Sequence, residues 1–249
     1  MKDSTLKKIL NICIPFLSIV TFYIIFLILY IAKDNPLSFP SPNTILKEFF
    51  ILLSKADTYK AILLTLLRLL LCLLISFLIG FILASLSLRS NYLKKYISPF
   101  ILMFRTIPLV SIIILLIIMF GSKTSLFFIV SLMLIPIMYQ NILNGFENVN
   151  IEEIEAFSLD SKLNIKILFK IYVPEILGDI KTAFISSIGL GFKVMVMAEF
   201  ISNAKDSIGY ALNSSYHYNV EMAPVYAWTL ILVILSIVIS KLCELFKNK

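Results

Sequence analysis

Charged side chains are scarce in this chain of 249 residues: Asp, Glu, Lys and Arg make up only 15%, against roughly 25% in soluble domains. Histidine occurs once, as His217 between Tyr216 and Tyr218, in a stretch that reads as an outside loop. A lone histidine with no acid cluster around it builds neither a metal centre nor a catalytic constellation, so catalytic residues, metal ligands and cofactors are not expected. The three cysteines, Cys13, Cys72 and Cys243, each sit in an apolar run without C-x-x-C spacing. That excludes the usual zinc and redox motifs and leaves small core or lipid-facing side chains. No G-x-x-x-x-G-K-[ST] is present; Gly121-Ser122-Lys123-Thr124 has only a passing likeness. The chain therefore does not cradle nucleotide phosphates itself.

What fills the space is apolar. Hydrophobic residues make up 59% of the chain and mean hydropathy is +0.96. A globular core cannot absorb that much apolar surface, whereas a bilayer can. Six runs nearly free of charge are long enough to cross about 30 Å of hydrocarbon: 9–32, 61–88, 97–122, 124–146, 180–204 and 222–246. They lack the ten-residue alternation of membrane barrels. Helices satisfy their own backbone in lipid, so an all-α integral membrane protein with six transmembrane helices in one domain, 1–249, is expected. The first run follows Lys2, Lys7 and Lys8 but is too long for a signal-peptide core and has no A-x-A-like site before Lys33. It reads as a retained span.

Basic residues set the orientation. With the N-terminus cytoplasmic, thirteen of the 22 Lys and Arg lie inside, six outside and three within spans. Both termini then face the cytoplasm. The net charge of +7 reflects this bias, and no nucleic-acid partner is implied.

Two connections are long. The outer one, 33–60, contains Phe39-Pro40-Ser41-Pro42, after which a short helix places Ile45, Leu46, Phe49, Phe50 and Leu53 on one face. This helix is expected along the outer membrane surface, against lipid. The cytoplasmic one, 147–179, reads as two helices. Asn150 caps the first, with Glu152, Glu153 and Glu155 in its opening turns. Asp160-Ser161 interrupts, and the second runs to about Tyr172 before Pro174 ends or bends it. Ile165, Leu168, Phe169 and Tyr172 share one face of the second helix, while Lys162, Lys166 and Lys170 step along another. Such a helix either rests on lipid headgroups or docks a soluble partner.

This loop resembles the EAA signature of bacterial ABC importer permeases. Glu155 and Ala156 match it, and Ile171 and Pro174 stand at the family's offsets of 16 and 19 from the Glu. Phe157 replaces the second Ala, Ser161 after Asp160 occupies the Gly position, and Val173 stands where Leu is usual. Further matches follow in order: the Phe39–Pro42 opening, Thr65-Leu66-Leu67-Arg68, Arg105-Thr106-Ile107-Pro108, Ala198-Glu199-Phe200-Ile201 and Ser207-Ile208-Gly209-Tyr210. Together they resemble the nitrate/sulfonate/taurine-type group. The resemblance implies a type I ABC importer permease fold in which two permease copies, identical in the group's usual homodimer, form the pathway. It implies an ABC ATPase subunit docked on Glu155, Ala156, Phe157, Asp160, Ser161, Ile171 and Pro174, and an extracytoplasmic solute-binding protein that delivers a small anionic or heterocyclic solute.

Four charges lie within the expected spans: Arg68, Arg105, Lys193 and Glu199. Near the bilayer centre a charge costs at least about 2.5–3.5 kcal/mol, so each must face protein or water. Each reads either as part of a structural ion pair or as pathway lining. Lys193 and Glu199 are six residues apart and share no helix face, so a partner on another helix or across a dimer axis is expected. Gly189 and Gly191 suit close helix approach. Two other classes fit less well. A membrane enzyme needs clustered acids, histidines or a nucleophile–base pair at depth. A self-sufficient secondary transporter or channel needs inverted repeats and interrupted helices, and gives the EAA-like loop no role.

Overall fold

The computed structural model describes residues 17, 20–21, 23–32, 35, 38–149, 168–218 and 222–247, and all secondary structure among them is helical. In chain order the helices are α1 (Tyr23–Ala32), α2 (Pro42–Leu53), α3 (Ala56–Arg89), α4 (Asn91–Thr106) and α5 (Leu109–Asn148). A π-helical turn, Leu168–Tyr172, then runs through Val173–Glu175 into α6 (Leu177–Ser202), followed by α7 (Ile208–Tyr218) and α8 (Ala223–Lys247). Among the described residues, four helices are long and apolar enough to cross a membrane: α3, α5, α6 and α8. The segment that would carry Glu155, Ala156, Phe157, Asp160 and Ser161 lies outside the described residues.

Small residues decide which helices meet. Along α3 the buried stripe includes Ala61, Thr65, Cys72, Ser76, Gly80, Ala84 and Ser87, and along α6 it includes Ala183, Ser187, Gly191, Ala198 and Ser202. In lipid the hydrophobic effect does not drive helices together; close van der Waals contact does, and small side chains at these spacings permit it. Both helices pack on α5, which sits between them with Leu134, Met138 and Ile142 fully buried. At Gly80 a Cβ would lie 2.7 Å from Met138 Cβ and 3.0 Å from the Tyr139 amide nitrogen, so α3 rides directly on the α5 backbone. Gly191 likewise abuts Leu69 and Leu134. Gly189 meets nothing within 4 Å and contributes no close approach here, because it lies on the uncovered side of α6.

The outer surface of this core is aliphatic. Leu63, Leu67, Leu70, Leu74 and Leu78 on α3, and Ile234, Ile237 and Val238 on α8, are exposed. A soluble chain does not present such a continuous face to water.

Ion pairs mark the two ends of the bundle. Lys60 at the start of α3 meets Asp206, between α6 and α7, at 2.9 Å. Lys94 at the start of α4 pairs with Glu147 at the end of α5. The 203–207 turn and the start of α3 therefore share one end, and the 89–95 and 147–149 segments share the other.

Three details differ from the sequence reading. First, the run 97–122 is interrupted: Ile107 is extended (φ −66°, ψ 132°) between α4 and α5. Pro108 disfavours the helical region for the residue before it and offers no amide donor, which a hydropathy scan does not register. Within α5 the chain turns again at Gly121 (φ 74°, ψ 168°), a backbone conformation open to glycine. Second, α2 is capped by Ser41, whose hydroxyl accepts from the Thr44 amide at 3.2 Å, but its inward face is Ile45, Phe49 and Leu52, while Leu46 and Phe50 are exposed. Third, the stretch around His217, read as a loop, is the end of α7. Ser207 caps that helix by accepting from the Tyr210 amide at 3.0 Å.

Replacing Gly80 by Ala should push α3 off α5 and lower stability by about 1–3 kcal/mol, the usual range for overpacking. Gly189→Ala meets open space and should leave stability unchanged or slightly raised. Thermal unfolding of both variants in lipid nanodiscs checks this, and equal effects would contradict the packing assigned to Gly80.

Candidate functional site

Glu199 is the most deeply buried charge among the described residues, with no exposed surface. It stands three residues before the end of α6, and α3 and α7 converge on it. Thr65 of α3 donates its hydroxyl to the carboxylate (2.9 Å to Oε2, 3.1 Å to Oε1). One turn later on the same face, Arg68 Nη1 donates to Oε1 at 3.0 Å. The Gly209 amide at the start of α7 approaches Oε2 at 3.4 Å. Thr65 in turn accepts from the Ile208 amide at 3.1 Å, and Arg68 Nη2 donates to the Lys205 carbonyl at 3.2 Å. The carboxylate thus has donors on both oxygens, which is what makes a buried charge tolerable.

The local sequence produces this geometry. α6 stops at Asn203, a left-handed residue (φ 53°), and the Ala204 amide returns to the Glu199 carbonyl at 3.2 Å. Asn213 Nδ2 donates to the Phe200 carbonyl at 2.9 Å, satisfying another group left free at the helix end. Gly209 lets α7 lie against α6, since a Cβ there would overlap Glu199 Cβ, Phe200 N and Val196 O. Just outside, Lys60 holds the Asp206 carboxyl below the usual carboxylate range, first by its hydrogen bond and then by its charge. That contact is present above the ordinary carboxylate range and lost as pH falls through the lowered value.

Lys193 is placed quite differently. It lies nine residues before Ser202, ~14 Å along the helix at 1.5 Å per residue, and so near mid-depth of a span. It is exposed and has no hydrogen bond or ion pair among the described residues. It borders a groove of ≈ 350 Å³ between α6, α7 and α8, lined also by Phe192, Val196, Met197, Phe200, Leu212, Leu232 and Ser236. The exposed residues Thr182, Ser186, Gly189, Lys193 and Met197 follow one another at helical spacing. α6 therefore has two faces: a small-residue face packed on α3 and α5, and an uncovered face that is polar where a lipid-facing helix would be aliphatic.

The other expected site residues separate. Arg105 is exposed near the end of α4 and makes no described contact with Lys193. Arg68 is joined to Glu199. Ile171 belongs to the π-helical turn and Pro174 to the short helical turn after it, where it is exposed. Glu155, Ala156, Phe157, Asp160 and Ser161 are outside the described residues. Two contributors were not marked as site residues from sequence, Thr65 and Gly209. Each stood in the sequence only as a member of a motif match, Thr65 in 65–68 and Gly209 in 207–210, with nothing to mark it as a partner of Glu199.

Known proteins with this organisation are membrane transport components. The family described as binding-protein-dependent transport system inner membrane component matches residues 76–249, well over half of the chain. Searching curated proteins gives no match. A solved structure of the MetNI methionine ABC transporter in an inward-facing conformation is similar over 78% of this chain and 98% of that chain, with TM-score 0.61 and 15% identity. An amino acid ABC transporter solved with histidines is similar over 75% of this chain and 90% of that one, with TM-score 0.60 and 19% identity. The chain belongs to the binding-protein-dependent inner membrane component family and has the fold of ABC importer permeases. It is a permease component; ATP hydrolysis lies in a separate subunit.

Removing one partner from the buried pair should be costly. Glu199→Ala leaves Arg68 and Thr65 without an acceptor, and Arg68→Met strands the carboxylate; each should lose roughly 3–5 kcal/mol. The double variant Arg68→Met/Glu199→Met should recover most of that loss. Thermal unfolding of the three proteins decides, and a double variant as damaged as the sum of the singles would refute a coupled pair.

Proposed function

We propose that this member of the binding-protein-dependent permease family forms one half of the translocation pathway of an ATP-driven importer for a small anionic or heterocyclic solute, of the nitrate, sulfonate, taurine or thiamine-precursor kind. The observation that carries the reading is the uncovered polar face of α6 with Lys193 at mid-depth. An unpaired ammonium facing lipid is disfavoured by several kcal/mol. A second copy facing the first across a two-fold axis would enclose that face and bring two lysines to one water-filled path. Two like charges attract a net anion to such a path. Arg105 is a further candidate lining group. Arg68 and Glu199 neutralise each other and hold the bundle together rather than meet the solute. The structural neighbours named for methionine and for an amino acid with histidines suggest a zwitterionic cargo instead; the unpaired cation favours net negative charge.

In this reading the end that holds Arg89, Lys94, Lys95 and Lys181 faces the cytoplasm, as the excess of basic residues there supports. Both chain termini then lie inside. Segment 147–179, with Glu155, Ala156, Phe157, Asp160, Ser161, Ile171 and Pro174, seats on the ATPase. The delivery protein meets the opposite end, around α2 and the 203–207 turn.

Two outcomes are expected. The chain purified from its membrane carries an ATPase with it, and Glu155→Ala reduces the amount captured about tenfold, as truncating a docking hot spot does; uptake in vesicles lacking any ATPase would sink the reading. Lys193→Met lowers uptake of a sulfonate about tenfold or more, the loss of one charge-assisted contact, with assembly intact. Unchanged transport kinetics in that variant would remove Lys193 from the pathway.

A further inference from the structure

An aromatic cluster ties the last described part of segment 147–179 to α3 and α5. Phe81 of α3 is its hub, with ring centroids 5.9 Å from Phe77, 5.9 Å from Phe146 of α5 and 6.1 Å from Phe169. Phe77 reaches Phe184 of α6 at 5.1 Å, and Phe146 stands edge-on to Tyr172 at 5.8 Å. Phe169 and Tyr172 both belong to the π-helical turn in the C-terminal part of segment 147–179. A π turn inserts one residue into the helical repeat and re-aims the side chains around it. Here it directs two rings, from one short stretch, at two different helices.

We infer that Phe169 and Tyr172 are positioning residues that transmit movement of the ATPase-docking segment to the pathway helices through Phe81 and Phe77; this rests on the docking role proposed above. The path Phe169–Phe81–Phe77–Phe184 ends on α6 two residues before Ser186, which lies on the same exposed face as Lys193. The second branch, Tyr172–Phe146, ends on α5. Ordinary core packing accounts for Tyr172, which is 6% exposed, and Phe146, which is 2% exposed. It does not account for Phe169, which is 59% exposed and yet keeps its ring against Phe81. A ring so placed adds little to the stability of the core. It joins the π-helical turn to α3, and interdigitated rings carry displacement because a packed cluster shifts between discrete arrangements instead of deforming.

The test needs no knowledge of the solute. In a chain with Cys13, Cys72 and Cys243 changed to Ala and with Ser186→Cys, co-purified with its ATPase in nanodiscs, labelling by a membrane-impermeant maleimide is followed without nucleotide and with ATP plus vanadate. The labelling rate should change about tenfold between the two states, the size of a typical coupling between sites. Phe169→Ala should shrink that change to less than about twofold with the ATPase still bound. Phe81→Leu, inside the bundle and away from the docking surface, should do the same. If Phe169→Ala keeps the full change, the relay is overturned while the permease reading stands. If Phe169→Ala loses the ATPase, Phe169 is a docking residue and the relay is again overturned. If the chain without either change captures no ATPase or shows no nucleotide dependence, both the docking reading and the relay fall.

Discussion

A carboxylate in an apolar bundle must be met by donors from the chain itself, because lipid offers none. Glu199 meets that demand with residues from two other helices: Thr65 and Arg68 on α3, and the amide of Gly209 on α7. Much of the architecture at this end follows. The α6–α7 turn has to fold back tightly enough to aim an amide at the carboxylate, so α6 ends on a left-handed Asn203 and α7 starts on Ser207 as its cap. Arg68 reaches past the carboxylate to the Lys205 carbonyl and so fixes the turn as well as the charge. The result is a polar clasp joining the first and last thirds of the chain. Such pairs are weak evidence for stability, since apolar packing of equal volume often does as well. Their stronger consequence is geometric: a charge with this many directional contacts tolerates only one register between α3 and α6.

That register determines what the rest of α6 can do. With Glu199 turned toward α3, the small residues Ala183, Ser187 and Gly191 fall on the packed side, and Gly191 fits between Leu69 and Leu134. Lys193, six residues before Glu199, then falls on the uncovered side. The two charges on one helix therefore have opposite fates for a simple reason of helical phase. One is neutralised inside the chain; the other remains for water, solute or another copy of the chain.

The sequence made some of this legible and concealed the rest. The all-helical membrane fold could be read from the long runs with few charges, because satisfying the backbone in lipid leaves few alternatives. The phase argument separating Lys193 from Glu199 was available from spacing alone. The partner of Glu199 was not, since Arg68 is 131 residues distant and nothing local encodes that contact. The ordered motifs at 65–68, 198–201 and 207–210 were visible as separate matches, and only the fold brings them to one carboxylate. Hydropathy failed at Ile107-Pro108 because a helix break there depends on a missing amide and a steric clash rather than on polarity. It failed again at 208–218, where Ser207 was a cap signal hidden by the mixed polarity of the residues that follow. On α2 the helix was legible but its inward face was not, because Leu46 and Phe50 are as apolar as Ile45 and Phe49, and composition cannot rank two greasy faces of one helix.

The same reasoning bears on how the two ends of the bundle divide their work. At the Asp206 end the contacts are directional: an ion pair whose carboxylate is fully buried, backbone amides on side-chain oxygens, and a capped turn. At the other end they are largely ring on ring, with a buried Ser87–Tyr139 hydroxyl contact at 3.0 Å and an exposed pair between Lys94 and Glu147 at the rim. Hydrogen-bonded charges resist rearrangement, since an intermediate with an unpaired buried charge is high in energy. Aromatic contacts are less directional and pass between neighbouring packings at smaller cost. A bundle built this way is fixed at the clasp and more compliant at the opposite rim. The more compliant rim is where the chain enters and leaves segment 147–179.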